Sequence, residues 1–151
     1  MRHLLVLPFL AALAACNPAS KSAEASPDAA GESEAVAGLS PVPDLAGEFR
    51  VAGIDGAPLD LPFGLALSVS KDRIVFDAAC GGYAWNYRLV GRTLRTTRIA
   101  SPDPKCLATA RIHHVVFDLA VAVDAATGAG RDGSNAIVLS GGGRTLTLYS
   151  Q

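Results

Sequence analysis

The chain has 151 residues, half of them hydrophobic, and a formal net charge of −1. That is enough for one compact domain, and it argues against a strongly charged partner for the molecule as a whole. Aromatic residues make up only 6% of the chain, so the close spacing of Tyr83, Trp85 and Tyr87 stands out.

The chain opens with the short basic stretch Met1-Arg2-His3, followed by an apolar run over residues 4–15 that only Pro8 interrupts. Twelve residues are too few to cross a bilayer, which needs about 20. A basic start, a short apolar run and small residues at its end predict a secretory signal peptide over residues 1–15. The end of the run, Leu13-Ala14-Ala15-Cys16, resembles the bacterial lipobox. That resemblance implies acylation of Cys16, which becomes the new N-terminus of a lipoprotein held in the membrane by its acyl chains. Position 17 is Asn rather than the Asp of the inner-membrane retention signal, so the expected location is the outer membrane, facing the periplasm.

Residues 16–43 are rich in Ala, Ser, Pro and Glu and contain no aromatic residue. Such a composition buries too little to offset the entropy of ordering, which predicts a flexible tether between the anchor and a domain over residues 44–151. Within that domain Phe49 and Val51 alternate on a first strand, and Asp55-Gly56 signals a turn. Leu59 to Pro62 reads as a short extended edge piece. Leu65, Leu67 and Val69 alternate with the small residues Ala66, Ser68 and Ser70, and Ile74 and Phe76 continue the pattern on a return strand.

The next stretch carries a cysteine at each foot, Cys80 and Cys106, and reads as a hairpin. Its first strand places Tyr83, Trp85, Tyr87 and Leu89 on one face, because side chains alternate with period two. The chain turns at Val90-Gly91-Arg92. With Cys16 lipidated, Cys80 and Cys106 are the two remaining thiols in an oxidising compartment, and a disulfide between them is the reading preferred over two free, buried thiols.

Asp103-Pro104 has the chemistry of a helix start, with an aspartate to accept the free amides and a proline at the first position. Ile112, Val115, Val116, Leu119 and Val123 follow at helical spacing, which predicts one helix over about residues 104–126. Residues 128–134 read as a loop. A closing hairpin runs from Asn135 to Tyr149 around Gly141-Gly142-Gly143, a glycine run that precedes a strand and so lacks the helix N-terminus a phosphate loop needs.

From about Leu45 to Tyr149 this order resembles the META/HslJ-like domain of bacterial envelope lipoproteins. The residues that carry the resemblance are Leu45-Ala46-Gly47-Glu48-Phe49 with Ile54-Asp55-Gly56, Cys80-Gly81-Gly82-Tyr83 with Tyr87, and Gly91-Arg92-Thr93-Leu94. Ile99-Ala100-Ser101 ahead of Cys106, then Ile137-Val138-Leu139 and Gly143-Arg144-Thr145-Leu146, complete it. The resemblance implies an α+β fold, a compact, mostly antiparallel, barrel-like β domain with one helix. It implies no known enzyme activity and a loose association with envelope stress.

Little in the sequence points to catalysis. A nucleophilic site could be drawn from Cys80 or Cys106 with His113 or His114, but a disulfide consumes both thiols. His113 and His114 point about 100° apart on a helix and no further ligand stands at metal spacing, so no metal or other cofactor is expected, and one histidine is expected in or beside the core. Between residues 83 and 111 six basic side chains face a single acid, Asp103. Arg88, Arg95 and Arg98 are the candidate contacts to an anionic lipid or an acidic envelope protein; the compartment excludes nucleic acid, and the plainer reading is a solvated strand face. The function expected is a non-enzymatic envelope lipoprotein that acts by binding. The alternatives are an inhibitor of a lysozyme- or protease-like enzyme, which would offer a protruding loop, and a small-molecule binder with a cavity beside Trp85.

Overall fold

A computed structural model describes residues 38–151; the signal peptide, Cys16 and most of the expected tether lie outside the described residues. The strands are β1 (Gly47–Ile54), β2 (Ala57–Pro58), β3 (Ala66–Val69), β4 (Arg73–Phe76), β5 (Tyr83–Val90), β6 (Thr93–Ala100), β7 (Gly128–Arg131), β8 (Ile137–Gly141) and β9 (Arg144–Ser150). Two helices, α1 (Pro104–Leu107) and α2 (Val115–Ala125), separate β6 from β7.

All pairings are antiparallel. From β3 onward each strand pairs with the next, and β1 pairs with both β3 and β9, from Phe49 opposite Ser150 to Ile54 opposite Leu146. The result is a closed barrel of eight strands, with β2 as a short flap on the end of β1. Closure removes the free edges that an open sheet of this length would present. The expected α+β, barrel-like fold is the one observed.

Alternation determines what lies inside. Leu67 and Val69, Ile74 and Phe76, Trp85 and Tyr87, Leu139, and Leu146 and Leu148 are all buried on the inner face. Helix α2 adds Val115, Leu119 and Val123, four residues apart and so on one side of the helix, with Leu119 and Val123 fully buried.

The barrel is narrowest in hydrogen bonds between β6 and β7, whose register holds one pair, Thr93 opposite Gly128. The Leu94 amide to the Thr127 carbonyl (2.8 Å) and the Ala129 amide to the Arg92 carbonyl (2.9 Å) extend it slightly. Where the two strands part, α2 lies alongside β6, and the Thr96 hydroxyl donates to the Val123 carbonyl at 3.0 Å.

Three expectations need correction. The single helix over residues 104–126 is two helices. Asp103 does cap α1, its carboxylate accepting from the Lys105 amide at 2.8 Å, but the helix lasts four residues. Residues 108–114 leave it, and α2 begins only at Val115. Residues 128–134 are not all loop, since β7 occupies the first four and pairs along its length with β8. Finally, neither histidine reaches the core: His113 and His114 are both exposed and stacked on each other with ring centroids 4.4 Å apart.

Upstream of Asp44 the chain is already packed. Ser40 and Arg131 exchange two backbone hydrogen bonds of 2.8 Å, Arg92 Nη1 donates to the Leu39 carbonyl at 3.0 Å, and Val42 is buried. The N-terminal segment therefore joins the barrel beside the β5–β6 turn.

Candidate functional site

The β5–β6 hairpin carries the residues singled out in the sequence, and its two faces differ completely. The turn Gly91-Arg92 makes a two-residue hairpin loop, with Gly91 at φ 63°, a value glycine adopts at no steric cost. From that turn the register runs Val90 opposite Thr93, Leu89 opposite Leu94, Arg88 opposite Arg95 and Tyr87 opposite Thr96.

On the inner face the aromatic side chains stack in sequence. Tyr83 lies 6.4 Å from Phe76 and 5.7 Å from Trp85, centroid to centroid, in near-parallel planes. Trp85 is fully buried and its indole N–H donates to Asp124 Oδ1 at 2.7 Å, so a helical carboxylate satisfies the one polar atom of the ring. The Tyr87 hydroxyl donates to the Ser70 carbonyl at 2.9 Å. Burial, with the Asp44 and Asp72 carboxylates as smaller contributors, pushes the Tyr87 hydroxyl above its ordinary pKa against an opposing backbone hydrogen bond from Leu45.

Arg98 belongs to this inner face. The register from the turn is unbroken as far as Arg98 opposite Trp85, in line with Leu94 and Thr96, and slips only beyond, between Trp85 and Ala84, where Ile99 is the extra residue. Its guanidinium sits 5.0 Å from the Tyr83 ring centroid and 5.8 Å from that of Trp85, and pairs with both oxygens of Asp124. Arg98 is thus committed to tying α2 to the hairpin rather than offered to a partner.

Arg88 and Arg95 are different. They stand directly opposite each other on the outer face, both exposed, and neither makes an ion pair or side-chain hydrogen bond among the described residues. With Val90 and Thr93 they line an open depression of about 390 Å³. Arg73, across β4 and opposite Asn86, extends the same outer row diagonally from Arg88. The structure therefore separates the three candidate arginines, bringing Arg88 and Arg95 together and turning Arg98 away.

At the feet of the hairpin Cys80 and Cys106 are joined in a disulfide, with their Cα atoms 5.5 Å apart. The Asp103 amide donates to the Cys80 carbonyl at 2.8 Å, so the cap of α1 and the bridge fix the same corner. Gly82 follows at φ 68°; a Cβ there would stand 2.3 Å from the Phe76 carbonyl oxygen, which restricts the position to glycine. With both thiols in the bridge, the drawn cysteine–histidine nucleophile does not exist.

No group of three or more His, Cys, Asp or Glu side chains is arranged to hold a metal among the described residues. His113 uses Nδ1 to accept from the Val115 amide at 3.3 Å and meets Phe63 edge-on at 5.7 Å. A groove of about 340 Å³ between Phe63, Leu65, Phe76, Ala78 and Val116 is mainly apolar, but it lies away from Trp85, which presents no exposed surface to a ligand. No helix among the described residues is long and apolar enough to cross a membrane.

Sequence reasoning missed Asp124. It lies 39 residues from Trp85 and 26 from Arg98, and its own neighbourhood, an apolar helix end, carries no motif. The only available signal was a buried tryptophan's need for an acceptor, which names no residue.

The described residues define a closed antiparallel barrel with a helix against its seam and an arginine pair on its outer wall. In comparisons with known proteins, no family model, no curated protein and no solved structure matches this chain.

Proposed function

We propose that this chain is a non-enzymatic envelope lipoprotein of META/HslJ-like type, anchored through Cys16 in the outer membrane, whose domain acts by binding an anionic partner on the outer face of β5 and β6. One observation carries the binding surface. Arg88 and Arg95 are opposed across an antiparallel pair, exposed, and neither makes an ion pair among the described residues. Like charges directly opposed destabilise a strand pair, and a phosphate or carboxylate bridging the two guanidinium groups relieves that repulsion while accepting charge-assisted hydrogen bonds. The anchor rests on the residues Leu13-Ala14-Ala15-Cys16, and the family type rests on the order of motifs from Leu45 to Tyr149.

Titration of the full chain with inorganic polyphosphate tests the surface. Arg88→Gln/Arg95→Gln is expected to weaken binding by about tenfold or more, since each charge-assisted bond contributes about 1.5–3 kcal/mol. Arg98→Gln, whose guanidinium is already held by Asp124, is expected to leave binding unchanged. Equal affinity in the double variant rejects the surface. The anchor is tested separately, by Cys16→Ala, which is expected to move the protein out of the membrane fraction.

A further inference from the structure

The arginine pair and the point where the tether leaves the barrel are at the same end of the molecule. Arg88 and Arg95 stand one cross-strand pair short of the terminal pair's neighbour Leu89 opposite Leu94, and the hairpin then closes at Val90 opposite Thr93. The turn residue Arg92 holds the Leu39 carbonyl, and Ser40 is bonded to Arg131. Gly38, the first described residue, is thus fixed next to the hairpin tip. The stretch from Cys16 to Gly38 reaches, even fully extended, about 80 Å at most.

We propose that the hairpin tip is a membrane-docking surface, in which Arg88 and Arg95, extended by Arg73, lie against the anionic phosphate headgroups of the bilayer that holds the anchor. This rests on the anchored-lipoprotein reading above and names the partner of the same arginine face. Charge complementarity selects the occupant: the outer row presents guanidinium groups with no acid bonded to them. The acids at this end are directed elsewhere. Asp44 accepts from the Ala46 amide, Asp132 holds Ser134 and Ala136, Asp124 is bonded to Trp85 and Arg98, and Asp72, whose carbonyl accepts from the Tyr87 amide, makes no ion pair among the described residues. Val90, 65% exposed, shares the outer face with Arg88 and stands nearest the turn, where a small apolar side chain can enter the headgroup layer. Two or three arginines bind an anionic surface weakly on their own, at about fivefold per basic side chain. An anchor on the same side raises the local concentration of headgroups into the range where weak contacts are occupied. The domain then lies on the membrane in one orientation, tip inward and the disulfide corner outward.

The test uses the full-length lipidated protein reconstituted into vesicles, one set of phosphatidylcholine with phosphatidylglycerol and one of phosphatidylcholine alone, with amide hydrogen exchange as the readout. In the anionic vesicles, peptides covering residues 88–95 are expected to exchange more slowly than in neutral ones. Arg88→Gln/Arg95→Gln is expected to abolish the difference by reducing the docked population on the order of 25-fold. Peptides covering α1, at the disulfide corner, serve as the internal control and are expected to exchange equally in both. Equal exchange over residues 88–95 in the two lipids overturns docking, as does protection that survives the double substitution. If polyphosphate still binds in that case, the anion-binding reading stands with a protein partner in place of the bilayer. Protein that does not remain with either set of vesicles overturns the anchor and the docking together.

Discussion

Asp124 shows how much one side chain can connect. It accepts the indole N–H of a fully buried tryptophan and the guanidinium of an arginine that covers two aromatic rings, and so joins α2 to β5 and β6 at once. The two interactions are unequal. The ion pair with Arg98 is about a third exposed on each side, where such pairs contribute little, whereas the buried indole donor has no water to turn to. Asp124→Ala is therefore expected to cost about 2–3 kcal/mol in urea unfolding followed by tryptophan fluorescence, and Arg98→Ala about 1 kcal/mol or less. Equal losses would mean that the ion pair, not the indole, dominates. Asp132 makes a second local prediction. The Ser134 hydroxyl, with the Ala136 and Ser134 amides, holds its carboxyl below the ordinary value of 3.8. A depressed carboxylate stabilises the fold fully above its unfolded pKa, and that contribution fades as pH falls through the folded one. Stability below about pH 4 should consequently fall less steeply in Asp132→Asn than in the parent, as read from midpoints of urea unfolding across pH. Tyr87 carries the opposite shift, so its contribution is complete below its ordinary pKa and is lost on the alkaline side.

Among the elements, the disulfide-footed hairpin is the most dependent on a covalent tie. A bridge with sequence separation 26 removes chain entropy from the unfolded state equivalent to about 3.5 kcal/mol, against a total of about 5–15 for a domain. Reduction, or Cys80→Ala/Cys106→Ala, is expected to lower Tm by roughly 10–20 °C in calorimetry; an unchanged Tm would assign the hold on this corner to α1 and its cap instead. The same region shows what could be read in the sequence and what could not. Cysteine parity in the expected oxidising compartment led to the bridge observed, and period-two alternation put Trp85 and Tyr87 on the one face that is buried. Period-two alternation from Leu94 through Thr96 also puts Arg98 on the inner face; what the sequence could not show is its partner Asp124, 26 residues away. Nor could it find β7, whose residues Gly-Ala-Gly-Arg have no pattern. Gly130 is there for clearance, since a Cβ would meet the Leu39 side chain at 2.7 Å and the Ser40 carbonyl at 2.8 Å. The helix was legible in its two ends, the Asp103 cap and the Leu119 and Val123 stripe. The break between them was not, because residues 108–114 carry no proline or glycine to announce it.

For the whole molecule, closure and polarity go together. One end of the barrel gathers the β5–β6 turn, the arrival of the N-terminal segment and the arginine row, while the disulfide corner lies at the far end of the hairpin. A domain built this way can distinguish its two ends by charge without any large net charge, which agrees with a total of −1. The sequence pattern announced antiparallel strands in order. It could not announce that the first and last would meet, since no local feature of Phe49 or Leu148 names its partner.

That meeting sets an order of events in time. Nearly every strand finds its partner in the neighbouring segment of chain, so most of the wall can assemble as each hairpin becomes available. The pairing of β1 with β9 is the exception, because it joins the first strand to the last and requires closure of a loop of nearly the whole domain. A chain that is synthesised or threaded through a membrane from its N-terminus cannot complete this seam until its final residues are free. Until then β1 keeps one edge unpaired, and the interval between the first strand and the last is when the molecule is most open to pairing with the wrong chain.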